Sequence, residues 1–100
     1  MPWLDRPRLL ALHIGEIASF VALVDHDGFT PAARAMNLSQ AAFSARIIRL
    51  EQALGVMLVD RSVKRLTLTR EGRAFQPLAR SLLIMLGAVV DSVDAHRQEA

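Results

Sequence analysis

The stretch Phe29-Thr30-Pro31-Ala32-Ala33-Arg34-Ala35-Met36-Asn37-Leu38-Ser39-Gln40-Ala41-Ala42-Phe43-Ser44-Ala45-Arg46-Ile47-Ile48-Arg49-Leu50-Glu51-Gln52-Ala53-Leu54-Gly55 carries two helix signals separated by a tight turn. Thr30 can cap a helix whose first position is Pro31, where the missing N–H would be unpaired in any case. That helix is short, running through Ala32, Ala33, Arg34, Ala35 and Met36, and Asn37-Leu38-Ser39 is the turn. Ser39 caps the next helix, in which Phe43, Ile47, Leu50 and Leu54 form one apolar stripe. Gly55 suits the left-handed conformation that ends it. Turning about 100° per residue from Phe43, the opposite face holds Ala41, Ser44, Ala45, Ile48, Arg49 and Gln52, with Gln40 at the N-terminal edge. Arg46 lies roughly 70° from the stripe, on a flank, where its stem can cover apolar surface while its guanidinium reaches water or an anion.

Upstream, Ile14, Ile17, Phe20, Val21 and Val24 recur at three- and four-residue steps and predict an amphipathic helix ending near Asp25-His26-Asp27-Gly28. Residues 1–13 lack a clean period, and Leu9, Leu10 and Leu12 either extend that helix backward by a turn or pack loosely across it. Downstream, Leu58-Val59-Asp60-Arg61 and Leu66-Thr67-Leu68-Thr69 are β-prone and flank Ser62-Val63-Lys64-Arg65, which reads as a two-stranded hairpin with a basic tip. From Thr69 as cap a long helix follows, with Phe75, Leu78, Leu82, Met85, Leu86, Val89 and Val93 on an apolar seam. Pro77 sits early in it and predicts a kink, or a start nearer Phe75. The expected architecture is mainly α: three helices and a two-stranded β wing over residues 14–69, preceded by an extension (1–13) and followed by a linker or dimerisation helix (70–97).

Three helices with a tight turn before the third, then a basic hairpin, describe a winged helix-turn-helix, whose third helix enters the major groove of double-stranded DNA. The groove is about 12 Å wide and admits one helix. Gln40, Ala41, Ser44 and Ala45 are therefore the candidate base readers, since Gln can bond adenine in a bidentate manner and Ser can donate or accept. Thr30, Arg34, Ser39, Arg46, Arg49, Lys64 and Arg65 are the candidate phosphate contacts. Thr30 and Ser39 act first as caps and Arg46 keeps both roles open. Arg61, beside Asp60, has an equal claim to a structural role.

Charge supports this placement. The chain has twelve Lys and Arg against ten Asp and Glu, but between Thr30 and Arg80 nine basic residues meet only three acidic ones, a net +6, while the flanks carry net −4. A basic middle is the footprint of a polyanion binder. The absence of cysteine excludes disulfides, thiolate zinc sites and cysteine nucleophiles. His13, His26 and His96 lack metal-ligand spacing, and Glu16 and Glu51 have no carboxylate partner spaced for acid–base work, so neither metal, cofactor nor catalysis is expected. The longest apolar run, Leu82 to Val90 with Gly87 counted, is far short of the roughly 20 residues a bilayer requires. Asp5 and Pro7 interrupt any secretory signal, which points to the cytoplasm. A hydrophobic fraction of 52% in 100 residues predicts apolar surface reserved for a partner, here a homodimer through the seam.

The quoted residues, with Phe20-Val21-Ala22, Leu54-Gly55-Val56-Met57-Leu58, Arg61 and Leu68-Thr69-Arg70-Glu71-Gly72, resemble the N-terminal DNA-binding region of LysR-type transcriptional regulators over about residues 14 to 80. The resemblance implies a bacterial transcription factor that dimerises through the helix after the wing and binds an interrupted dyad. The chain departs from the family pattern at Ala41, usually Pro, at Ala45, often Arg, at Ile48, usually polar or basic, and at Val59, usually Phe. Without an arginine at position 45, Arg46 or Arg49 must supply the guanidinium. Family members continue into an effector-binding region of roughly 200 residues. None lies within these residues, as expected of an excised fragment or a stand-alone short relative, and no small-molecule effector site is expected here. The rival reading from another class is a small helix-mediated interaction module that heterodimerises with a full-length regulator, favoured by Ala45 and the apolar Ile48.

Overall fold

The computed structural model describes residues 1–97, which form five helices: α1 (Pro7–Leu10), α2 (Ile14–His26), α3 (Phe29–Ala35), α4 (Gln40–Leu54) and α5 (Arg70–Arg97). The core lies where α2, α3 and α4 converge. Ile17, Phe20 and Leu23 of α2 meet Ala32 and Ala33 of α3 and Phe43, Ile47 and Leu50 of α4, all buried. The two alanines have no side chain beyond Cβ, so α3 can approach both neighbours closely, and Phe29 closes the end of the cluster edge-on to Phe43 at 5.9 Å. The stripe expected on the third helix is thus the floor of the domain.

The turns are made by local chemistry. Asp27 takes a left-handed conformation (φ 52°) at the end of α2, and Asn37 does the same (φ 56°) between α3 and α4. Both are residue types that tolerate it. The Ser39 hydroxyl accepts from the Ala42 N–H at 3.1 Å, capping α4, and Gly55 (φ 75°) ends that helix as expected. The second helix begins earlier than expected: α3 starts at Phe29, so Thr30 lies in its first turn and does not cap it. Pro31 is still tolerated there, because the first four N–H groups of a helix have no partner within it.

The extension does not prolong α2. It forms the separate short helix α1, which packs on the C-terminal end of α4, where Arg8 Nη1 donates to the Leu54 carbonyl at 2.9 Å. A cation on the last carbonyls of a helix meets the negative end of its dipole. Only Leu12 of the leucines considered packs on the core, and Leu9 and Leu10 remain exposed.

The wing is slighter than two strands. One antiparallel bridge pairs Val59 with Leu68, supported by Asp60 N–H to Thr67 O (2.8 Å) and Thr69 N–H to Leu58 O (3.0 Å). Buried Glu51 anchors its base: Oε2 accepts from the N–H groups of Leu58 (2.7 Å) and Val59 (3.2 Å), while Arg61 Nη2 pairs with Oε1 at 2.9 Å. Arg61 is therefore structural, with Glu51 rather than Asp60 as its partner.

Helix α5 starts at Arg70 and runs unbroken through Pro77. The start nearer Phe75 is therefore corrected, because Thr69 fixes the beginning. Its hydroxyl donates to Met57 O at 2.6 Å and accepts from the Gly72 N–H at 3.0 Å. Gly72 is required by close approach, since a Cβ there would lie 2.2 Å from the Leu58 carbonyl oxygen. One expectation is corrected. Phe75 does not belong to the outward seam; it is half-buried, packs on Phe20 with ring centroids 5.5 Å apart, and shares its face with buried Ala79 and Leu83. The sequence pattern overlays two stripes at similar spacing. One docks α5 on α2, and the other, Leu78, Leu82, Met85, Val89 and Val93, is exposed to solvent, with Leu78 68% and Met85 64% accessible and Leu86 at its margin.

Candidate nucleic-acid interface

The first turn of α4 stands outward. Gln40 and Ala41 are exposed, Ser44 and Ala45 are half-buried one turn further on, and Ile48 is 45% accessible. This follows from the stripe beneath: Phe43 and Ile47 are fully buried, and the helical period turns residues 40, 41, 44, 45 and 48 away from them. Thr30, freed from capping, donates from Oγ1 to Gln40 Oε1 at 3.0 Å and ties the starts of α3 and α4 together. Arg34 is exposed on α3.

The basic wing loop lies against the turn that leads into α3. Lys64 and Arg65, both exposed, line a cleft with Asp27 and Gly28 of the turn between α2 and α3 and with Phe29 at the start of α3. The loop is shaped by short polar contacts rather than by a ladder. Asp60 accepts from both the hydroxyl and the N–H of Ser62, which hold its carboxyl below the usual range, and Thr67 Oγ1 donates to Arg65 O at 3.1 Å. The backbone is thereby set, and among the described residues neither cationic side chain makes a hydrogen bond or ion pair.

The two arginines of α4 differ. Arg46 is half-buried and turned back onto α2, its Nη1 donating to Gly15 O (3.2 Å) and Ser19 Oγ (3.4 Å), so its stem and one amino group serve the scaffold. Arg49 is exposed, and its Nε donates to Glu16 Oε2 at 3.1 Å. Sequence reasoning missed Glu16 because it sought a second carboxylate for it; the visible signal was an acidic residue in the first turn of a helix packed beneath a basic one. The structure thus brings Thr30, Ser39, Gln40 and Ala41 together at the start of α4, sets Lys64 and Arg65 by the turn that leads into α3, and diverts part of Arg46 and Arg61 to internal contacts.

Helix α5 is set on the domain by Phe75 and by Arg80, which pairs through both amino groups with the Asp25 carboxylate; the pairing lowers the Asp25 pKa and raises that of Arg80. Among the described residues no helix is long and apolar enough to cross a membrane.

A short helix pair joined by a tight turn, a capped outward-facing second helix and a basic loop define a helix-turn-helix domain with a wing. Residues 14–73 match the lysR family of bacterial regulatory helix-turn-helix proteins, and the chain belongs to that family, these residues being its helix-turn-helix DNA-binding domain. Among its relatives, the HTH-type transcriptional regulator PtxR of Pseudomonas aeruginosa is 36% identical over 86 residues, 86% of this chain and 28% of the relative. The SDS degradation transcriptional activation protein of a Pseudomonas species is 46% identical over 68 residues, covering 68% and 22%. The chain thus spans about a quarter of the length of these relatives. Of the solved structures, Vibrio fischeri DarR in complex with DNA superposes with a TM-score of 0.85 at 32% identity, covering 89% of this chain and 30% of that one. The BenM DNA-binding domain in complex with its catB site 1 DNA gives 0.79 at 30% identity, covering 84% and 94%.

Proposed function

We propose that this chain binds double-stranded DNA sequence-specifically, as the DNA-binding part of a LysR-type transcriptional regulator, and does so as a homodimer. In this reading residues 14–69 are the binding unit, 70–97 the linker and dimerisation helix, and 1–13 a strut behind α4. Gln40, Ala41, Ser44 and Ala45 face base edges. Ser39, Thr30, Arg34, Arg49, Lys64 and Arg65 meet phosphate, with Arg46 contributing through its free amino group. The exposed seam Leu78, Leu82, Met85, Leu86, Val89 and Val93 pairs two copies. Binding of this kind needs neither cofactor nor catalysis, and its place is the bacterial cytoplasm, where the DNA is.

One observation carries the reading: the first turn of α4 presents Gln40 and Ala41 to solvent directly above a sealed apolar floor, in a domain whose wing loop exposes two cations, Lys64 and Arg65. A rigid helix whose outward N-terminal residues are small or polar fits a major groove, and the helix N–H groups and dipole favour the phosphates beside it. The DNA-bound DarR and BenM structures support this by likeness of fold and sequence.

The test is selection of bound sites from random duplex DNA at two salt concentrations. A recovered dyad with fixed half-site spacing is expected. If about six phosphates are neutralised, log K falls against log salt with a slope near −5. A flat salt dependence with no enriched sequence rejects the reading, and heterodimers without retained DNA would favour an interaction module.

A further inference from the structure

We propose that Glu16 is a positioning residue for DNA recognition: its buried carboxylate holds Arg49 by Nε, so that the two Nη amino groups stand ready for one phosphate of the duplex. The proposal rests on the DNA-binding reading above.

Glu16 is the third residue of α2 and only 8% accessible, while the Arg49 side chain is 57% exposed. Their contact uses one N–H of the guanidinium, Nε to Oε2 at 3.1 Å. Among the described residues no hydrogen bond engages either Nη of Arg49. A guanidinium is a planar fork, and when its Nε is occupied the edge formed by the two amino groups remains whole and matches two oxygens of one phosphate. Glu16 is itself fixed: it lies in the first turn of α2, where the helix dipole favours a carboxylate, and it is packed under α4. Arg49 follows Ala41 and Ala45 at four-residue intervals, so the held guanidinium continues the outward ridge of the reading helix.

Arg46 provides the contrast within the same site. It places Nη1 on Gly15 O and Ser19 Oγ and lies against Gly15, where a Cβ would come 3.1 Å from that nitrogen. Its Nη1 is thus used by protein, which leaves Nε and Nη2 for an anion. The N-terminal half of α2 grips two arginines one turn apart on α4, Arg46 through Nη1 and Arg49 through Nε, so that among the described residues only Arg49 keeps both amino groups unengaged. Ordering Arg49 in advance removes part of the cost of immobilising a long side chain on the duplex.

The experiment compares Glu16→Gln with Glu16→Ala by fluorescence anisotropy on the selected duplex. Both variants lose the same charge, but only glutamine keeps an oxygen for Nε. Glu16→Ala is expected to bind about three- to tenfold more weakly than Glu16→Gln. The gap is expected to close when Arg49→Ala is present in both. Equal affinity of the two Glu16 variants, or a gap that survives Arg49→Ala, overturns the proposal. Where circular dichroism shows either Glu16 variant unfolded, Arg49→Lys decides: it keeps the charge but loses the fork, and is expected to bind at least about threefold more weakly. Affinity equal to the native chain overturns the proposal. A native chain that retains no duplex at low salt overturns the DNA-binding reading itself, whereas native binding with indistinguishable Gln and Ala variants overturns only the role of Glu16.

Discussion

Gly72→Ala and Gly87→Ala make the same chemical change in the same helix, and the structure assigns them opposite signs. At Gly72 the added methyl would stand 2.2 Å from the Leu58 carbonyl oxygen and 3.1 Å from its carbon. Ordinary contact needs about 1 Å more, and the obstruction is backbone, which cannot rotate away. Moving α5 outward by that amount strains the Thr69 cap, the Thr69 N–H to Leu58 O bond and the Phe75 contact on Phe20 together. Overpacking of this kind costs about 1–3 kcal/mol, here toward the upper end, and replacing a helical glycine returns up to about 1 kcal/mol. The net expectation is a loss of about 2 kcal/mol, or roughly 10 °C in Tm for a domain of this size. At Gly87 nothing lies within 4 Å of the new methyl, so only the propensity gain remains and helicity is expected to rise. Thermal and urea unfolding followed at 222 nm, with all chains at one protein concentration because any self-association would shift Tm, measures both. A Gly72→Ala variant as stable as the native chain would refute the close approach on which the placement of α5 depends.

Glu51→Ala is expected to cost about 2–4 kcal/mol in urea unfolding, because it leaves two buried N–H groups at the wing base without an acceptor, while the exposed Arg61 turns to solvent. The Asp25 carboxyl has a folded pKa below its unfolded value, through its hydrogen bond to Arg80, so its contribution is present above the unfolded carboxylate range and lost as pH falls through the folded pKa. Asp25→Asn is therefore expected to flatten the acid limb of a urea-midpoint profile, and an unchanged limb would exclude the pair as a source of it. Met85→Asp places a charge in the exposed seam and is expected to yield monomers by sedimentation with an unaltered circular dichroism spectrum. Dimers of undiminished stability would move the interface elsewhere.

The helix-turn-helix was legible because its signals are local: the Ser39 cap, the Gly55 stop and the stripe Phe43, Ile47, Leu50 each follow from neighbours in the chain. The start of α3 was misread by two residues, since Thr30 has the chemistry of a cap but Gly28 occupies that position, and the Thr30 hydroxyl finds Gln40 instead. Phe75 was misread because a period near 3.5 residues cannot separate two adjacent stripes of one helix; only the presence of α2 beneath decides which apolar residues turn inward. The ion pairs of Glu16 and Glu51 join residues 33 and 10 positions apart, and a distance of that kind leaves no periodic trace. What the sequence does record is the need for them, as acidic residues placed in otherwise basic or apolar surroundings.

These contacts give α2 a part beyond that of a core helix. Among the described helices α5 packs on α2 alone, through Phe75 on Phe20 and Arg80 on Asp25, while α4 is gripped by the opposite end of α2 through Gly15, Glu16 and Ser19. The mechanical path between helices from the exposed seam to the reading helix therefore runs through one rigid element, with the Gly72 contact on Leu58 as a second brace at the wing. In a dimer paired through the seam, the separation and angle of the two α4 helices would be fixed by these few contacts rather than by the linker helix alone. A duplex with different half-site spacing could then be engaged only by breaking a packed interface. On this argument the spacing of a recovered dyad is a property of the α2 contacts as much as of Gln40 or Ser44.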